Sequence, residues 1–396
     1  MKKITAFIIC LVCFQHSKAQ ENVITTGVPF LLVAADARAA GMADNGVATS
    51  ADAFSQQWNP AKYAFVLSKQ GFSLSYTPYL VELVNDISLG QVTYYNKLNE
   101  RSAFGASFRY FSVGEIELRD CVDCNVFIVK PAEYAFDVSY SLKLSELFSM
   151  AVASRFISSN LSIPTEGQSN KAATSFAFDI SGFYQSEEIA YNSFNGRWRW
   201  GFNFQNLGPK INYDLSDTDA GSNFLPSNMK LGTGFDFILD EYNKVALNLE
   251  FDKLLVPTPQ TPVPVDLDGD GEISQAEENA AQAQANIDYN NIGWVAGIFQ
   301  SFTDAPGGFK EELQEVAYSI GAEYRYQDSF ALRTGYFHES PEKGARNFFS
   351  LGAGFTYNIV KIDVSYLFST SNVSNPLENT LRFSLSFALG EKYDEY

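Results

Sequence analysis

After its first twenty residues the 396-residue chain contains no apolar run long enough to cross a bilayer as a helix, which takes about twenty such residues. Any membrane crossing by the remainder must therefore use strands. Histidine and cysteine are scarce, at two and four. His16 lies in the leader-like N-terminus, so His338 stands alone, and neither a Ser-His-Asp triad nor a multi-histidine metal centre can be assembled. No enzymatic activity is expected. Basic residues are outnumbered 28 to 46, for a formal charge of −18; losing Lys2, Lys3 and Lys18 with a leader takes it to −21. That balance argues against nucleic acid or an anionic membrane surface as partner.

The leader itself is legible. Met1-Lys2-Lys3 is basic, Ile4 to Phe14 is apolar, and Ser17-Lys18-Ala19 has the small-x-small form cut by signal peptidase. A signal peptide over residues 1–19 is expected, with maturation at Gln20. Cys10 and Cys13 raise a lipoprotein reading, but Val12 precedes Cys13 where a small residue belongs.

What the chain has in abundance is alternation. In the last segment Leu381, Phe383, Leu385, Phe387 and Leu389 alternate with Thr380, Arg382, Ser384, Ser386 and Ala388. One face of such a strand suits lipid and the other suits water. Fourteen such segments run from near residues 71–79 to near 379–389. Aromatic content of 15% suits interfacial girdles. The expected fold is all-β, a fourteen-stranded antiparallel transmembrane β-barrel, because closure satisfies the backbone groups that lipid cannot. A soluble β-sandwich is the competing architecture, and it does not require so many two-sided strands. An even strand count returns both termini to the periplasm. The connections then sort into brief periplasmic turns and longer outer loops, the longest being residues 254–313.

Residues 20–70 precede the barrel, which takes residues 71–396. This segment includes Ala37-Arg38-Ala39-Ala40-Gly41-Met42 and Trp58-Asn59-Pro60-Ala61, small residues suited to a plug, or hatch, inside the barrel. The succession resembles the hatch of the FadL-like outer-membrane superfamily, whose barrels also have fourteen strands and often carry Asn-Pro-Ala. Within it the chain is most similar to the PorV (LptO) family of the type IX secretion system of Bacteroidetes, on the stretches Tyr318 to Tyr324, Leu332 to Phe337 and Asn375 to Ser384. The resemblance implies an outer-membrane shuttle or adaptor that binds the translocon barrel and receives cargo C-terminal signal domains, with the sortase attachment complex as a further partner and outer-membrane lipid around it. The wider superfamily implies the alternative, a transporter of hydrophobic small molecules.

One motif carries chemistry of its own. Asp266, Asp268, Asp270, Glu272, Ser274 and Glu277 occupy the ligand positions of a twelve-residue calcium loop, with Gly271 at its sixth position. Hard oxygen ligands at these spacings can wrap one Ca²⁺, Glu277 offering both carboxylate oxygens. Pro257, Pro259, Pro262 and Pro264 stand where an entering helix would be, so the unit is half of an EF-hand. Cys121 and Cys124, both in one expected outer loop, are a candidate disulfide, with free thiols as the alternative. Lumen-facing Arg109, Arg155, Arg333 and Arg382 are expected to pair with acids of the hatch or wall.

Overall fold

The computed structural model describes residues 23–81, 84, 86–119, 126–161, 172–213, 222–371 and 376–392. The expected signal segment and Cys121 and Cys124 lie outside the described residues. The barrel strands are β1 (Ser68–Pro78), β2 (Ser88–Lys97), β3 (Ser102–Ser112), β4 (Ala132–Lys143), β5 (Phe148–Asn160), β6 (Ala173–Gln185) and β7 (Asn195–Leu207). They continue as β8 (Asn228–Ile238), β9 (Asn243–Leu254), β10 (Val316–Tyr326), β11 (Phe330–His338), β12 (Asn347–Tyr357), β13 (Val360–Ser369) and β14 (Leu381–Lys392). Each pairs antiparallel with its sequence neighbours, and β14 closes on β1 through pairs such as Leu385 with Leu74. The expected fourteen-stranded barrel is what forms.

The period of two decides which side chains meet lipid. On β4, Tyr134, Phe136, Val138 and Tyr140 point outward and are 37 to 50% exposed, while Ala135, Asp137, Ser139 and Ser141 are buried inside. β6 repeats the pattern, with Phe176, Phe178 and Ile180 outside and Ser175, Ala177, Asp179 and Ser181 inside. A greasy exterior exposed over every strand is stable only when hydrocarbon covers it. The strands run 9 to 13 residues, enough for a tilted crossing. Among the described residues no helix is long and apolar enough to cross a membrane.

The connections differ by end. One mouth of the barrel carries tight turns such as Gln327 and Asp328, both left-handed, between β10 and β11, and Asn358 between β12 and β13. Asn and Asp tolerate that conformation better than most residues, which lets a hairpin reverse in two residues. The other mouth carries the long loops, including the insert between Leu254 and Val316, which holds helices at Gln275–Asn291, Trp294–Gln300 and Phe309–Gln314.

Strand parity puts Ser68 and Lys392 together at the short-turn mouth, where they pair. The hatch then carries the chain back through the lumen. The Gly27 N–H donates to the Phe224 carbonyl in the β7–β8 loop, and Val23 and Ile24 share a cavity with Pro376 and Leu377 of the β13–β14 loop. Val23 and Lys392 therefore lie at opposite mouths. The hatch thus makes a passage through the lumen that a count of strands omits; the two chain ends themselves lie outside the described residues.

Candidate functional site

The lumen is occupied by residues 23–67. At the long-loop mouth Val28, Phe30, Leu31 and Ala35 pack against Leu89, Ala135 and Ile157 of the wall. At the short-turn mouth Ala53, Tyr63 and Val66 pack against Tyr95 and Ala103. Between them, polar contacts fix the backbone. The Asn59 side-chain amide donates to the Val47 and Gly182 carbonyls at 2.9 and 3.0 Å, and its Oδ1 caps the turn that starts at Pro60 by accepting the Ala61 N–H at 3.1 Å. Ser149 Oγ donates to the Ala61 carbonyl at 2.7 Å. The Asn-Pro-Ala element is thus a staple between hatch and the β5–β6 wall. Asp36 joins two hatch segments, capping Ala39 at 2.8 Å and accepting the Trp58 indole N–H at 2.6 Å.

The strongest clamp centres on Arg38, which sequence reading placed in the hatch without giving it a role. Its guanidinium makes a two-pronged contact with Glu323 of β10, both at 3.1 Å, and a 2.6 Å contact with Asp52. Glu323 is shared with Arg333 of β11 at 2.6 Å, and Arg333 reaches Asp363 of β13 at 2.8 Å. The fork geometry of guanidinium and carboxylate makes such contacts directional as well as attractive. Glu250 of β9 accepts the Gly46 and Val47 N–H groups at 2.7 and 2.9 Å. A lone Arg in an Ala-rich run, together with an inward-register Glu on a strand, was the signal available in sequence.

The four arginines chosen from sequence all face inward and are buried. Arg155 pairs with Asp137 and Asp179, within the wall, and Arg333 with Glu323 and Asp363. Arg382 touches hatch residue Asp44 at 3.4 Å. Arg109 meets a carbonyl instead of an acid, donating to Leu31 at 2.9 Å. The glycines of β12 divide their work: a Cβ on Gly352 would crowd the Gly41 backbone of the hatch, whereas one on Gly354 would strike Asp363 and Arg333. On β7 a Cβ at Gly201 would lie 2.3 Å from the Val47 carbonyl oxygen, so only glycine lets the hatch approach this closely.

Two cavities remain at the mouths, about 330 Å³ on the long-loop side and about 290 Å³ on the short-turn side, with no lining residue in common. The hatch stands between them.

The acidic loop lies in the β9–β10 insert. Asp266, Asp268 and Asp270 each bring a carboxylate oxygen within 4.8 Å of the others. Gly269 and Gly271 adopt left-handed backbone, and the Asp266 carboxylate accepts their N–H groups at 2.6 and 2.9 Å. Those bonds hold its pKa below the usual carboxylate range. Ser274 begins the helix Gln275–Asn291 in a reciprocal capping box with Glu277, and Glu277 also accepts the Leu267 N–H. The Ser274 and Leu267 N–H groups likewise lower the Glu277 carboxyl. Three of the six expected ligands are gathered, Glu277 is folded back beside Leu267, and Glu272 is exposed, its N–H donating to Asp270 at 2.8 Å.

Comparison with known proteins adds a family and a fold. The profile of the type IX secretion system protein PorV matches residues 16–261. No curated protein matches the chain. Among solved structures, the Pseudomonas putida toluene transporter TodX aligns at 11% identity with a TM-score of 0.50, covering 89% of this chain and 98% of its own. A Pseudomonas aeruginosa FadL homologue aligns at 12% identity with a TM-score of 0.44, covering 93% and 100%. At such identities the likeness concerns architecture.

Proposed function

The chain belongs to the PorV family of the type IX secretion system, and from that premise we propose that it is an outer-membrane adaptor that binds the translocon barrel and receives cargo C-terminal signal domains for surface release or attachment. Family membership is the observation that carries this reading. A lumen filled by a hatch that is stapled to the wall by Asn59, Arg38 and Glu250 supports it, since an adaptor needs no path through itself. In this reading the long loops face outward, the short turns face the periplasm, and the chain performs no catalysis. Affinity capture from native outer membrane tests it. Recovery of the translocon and of proteins bearing the C-terminal signal agrees with the adaptor, while recovery of bound hydrophobic small molecules alone favours a transporter.

We further propose that the insert binds one Ca²⁺. The donor set fits: Asp266, Asp268 and Asp270 are already gathered, all donors are hard oxygens, and Gly271 supplies the sharp turn such a loop needs. Glu272 would contribute its carbonyl, Ser274 its hydroxyl directly or through water, and Glu277 its carboxylate after exchanging the Leu267 contact. Bound calcium would neutralise the carboxylates and stiffen the loop; without a paired second loop, affinity is expected in the roughly 10⁻⁴ to 10⁻³ M range of extracellular modules.

A further inference from the structure

The insert holds an apolar groove with an acidic rim, and neither the barrel nor the calcium loop accounts for it. Its two sides are the proline-rich segment Pro257 to Leu267 and the helix Gln275–Asn291. They are pinned together at both ends: the Tyr289 hydroxyl donates to the Pro257 carbonyl at 3.1 Å, and the Leu267 N–H donates to Glu277. Between these pins the helix advances about 18 Å, at 1.5 Å per residue. The ten steps of the proline segment would span about 31 Å in polyproline geometry. The segment is thus longer than the gap it bridges, and a groove of about 830 Å³ lies between it and the helix. Prolines resist the folding back that would close it.

The apolar part of the lining is Pro262, Val263, Val265 and Leu267 on one side and Ala281 and Ala285 on the other, interspersed with polar residues such as Thr261 and Gln284. Val263, Val265 and Leu267 are 81, 63 and 73% exposed, on alternate residues of an unpaired segment. Exposed side chains at that spacing match the repeat of an extended peptide. The insert is predominantly acidic, with Lys210 at one end of the helix, where its ammonium donates to the Asn290 carbonyl at 2.9 Å. From residue 254 to 309 there are eight acidic residues and no lysine or arginine. Asp288, Asp304 and Glu277 stand on the groove itself.

We propose that this groove docks an extended peptide segment of a partner protein, about five residues long at roughly 3.3 Å per residue, apolar in its centre and flanked by lysine or arginine. Charge complementarity selects the partner: the excess of carboxylates, with Asp288, Asp304 and Glu277 on the groove, attracts cationic flanks and repels an anionic lipid surface. The proposal rests on the insert's geometry and charge and stands independently of the secretion reading.

The test uses the full-length protein in detergent with chelator present, so that calcium does not enter. Fluorescent acetyl-Lys-Val-Leu-Val-Leu-Lys-amide is titrated beside its twin with glutamate in both lysine positions. The lysine peptide should bind saturably, at least tenfold more tightly than the twin, and weaken as salt rises from about 0.05 to 0.5 M. Ala281→Trp, which fills the groove, should reduce that affinity at least tenfold. Ala283→Trp, on the same helix away from the groove, should not, and both variants should keep heat-modifiable barrel mobility on gels. Equal binding of the twin peptides, no saturable binding of either, an unaffected Ala281→Trp variant, or preferential binding of phosphatidylglycerol vesicles over the lysine peptide would each overturn the proposal.

Discussion

Replacing Arg38 by Ala should loosen the hatch while leaving the barrel closed. Arg38 joins the hatch to β10 through both prongs of its contact with Glu323, and holds Asp52 and Ser50 within the hatch itself. Its side chain is 6% exposed and that of Glu323 2%, so water cannot replace what is lost. Removing one partner of a buried pair typically costs about 3–5 kcal/mol, because the other charge is left uncompensated. Glu323 keeps Arg333, and Lys62 and Lys361 still act on Asp52, so the lower half of that range applies. At about 1.4 kcal/mol per decade, hatch opening should become roughly a hundredfold or more frequent. Hydrogen exchange read by mass spectrometry is the assay. Peptides containing Ala37, Ala39, Gly46 and Val47 should exchange about a hundredfold faster, while β4 and β5 stay unchanged. Arg38→Lys, which keeps the charge but loses the fork, should fall between. A rise below threefold at the hatch amides, or equal acceleration in β4 and β5, would refute the clamp.

Three further outcomes are expected. Burial, moderated by the Thr258 N–H and reinforced by Glu315, pushes Asp304 up to about 6; a carboxyl raised in the folded state stabilises the insert fully below its ordinary value near 4, and that contribution fades as pH rises to about 6. Limited proteolysis of the insert should therefore accelerate over that window in the native protein and much less in Asp304→Asn, and indistinguishable pH profiles would contradict it. Calorimetric titration of chelated protein with Ca²⁺ should show saturable heat that disappears in the Asp266→Ala/Glu277→Ala double variant with gel mobility of the barrel unchanged; a native protein without saturable heat up to several times ~10⁻³ M has only an acidic loop there. A tag at Gly269 should be cut by protease on intact cells and one after Tyr396 should not, and the reverse pattern would invert the proposed orientation.

The barrel was legible because lipid on one side and a polar lumen on the other impose a period of two on every strand, as in Tyr134 to Ser141. Buried arginines were legible for the same reason, since an Arg at an inward position must find oxygen acceptors, acids for Arg155 and a backbone carbonyl for Arg109. Their partners were not, because Glu323 meets Arg38 across 285 residues and no local pattern encodes that distance. The path of the hatch was hidden too. Strand parity places Ser68 but is silent about a segment that crosses the lumen without being a strand. The calcium motif was readable as spacing alone, while the groove beside it depends on how two unequal lengths of chain are pinned, which requires Tyr289 and Pro257 to be seen together.

The central claim is that this barrel serves protein secretion and not small-molecule uptake. Its most direct measurement is the fate of cargo in cells lacking the protein, with uptake of a long-chain fatty acid followed in the same culture. The account predicts that proteins bearing the C-terminal signal accumulate in the periplasm while uptake continues at the parental rate. Normal surface release of that cargo together with lost uptake would contradict it.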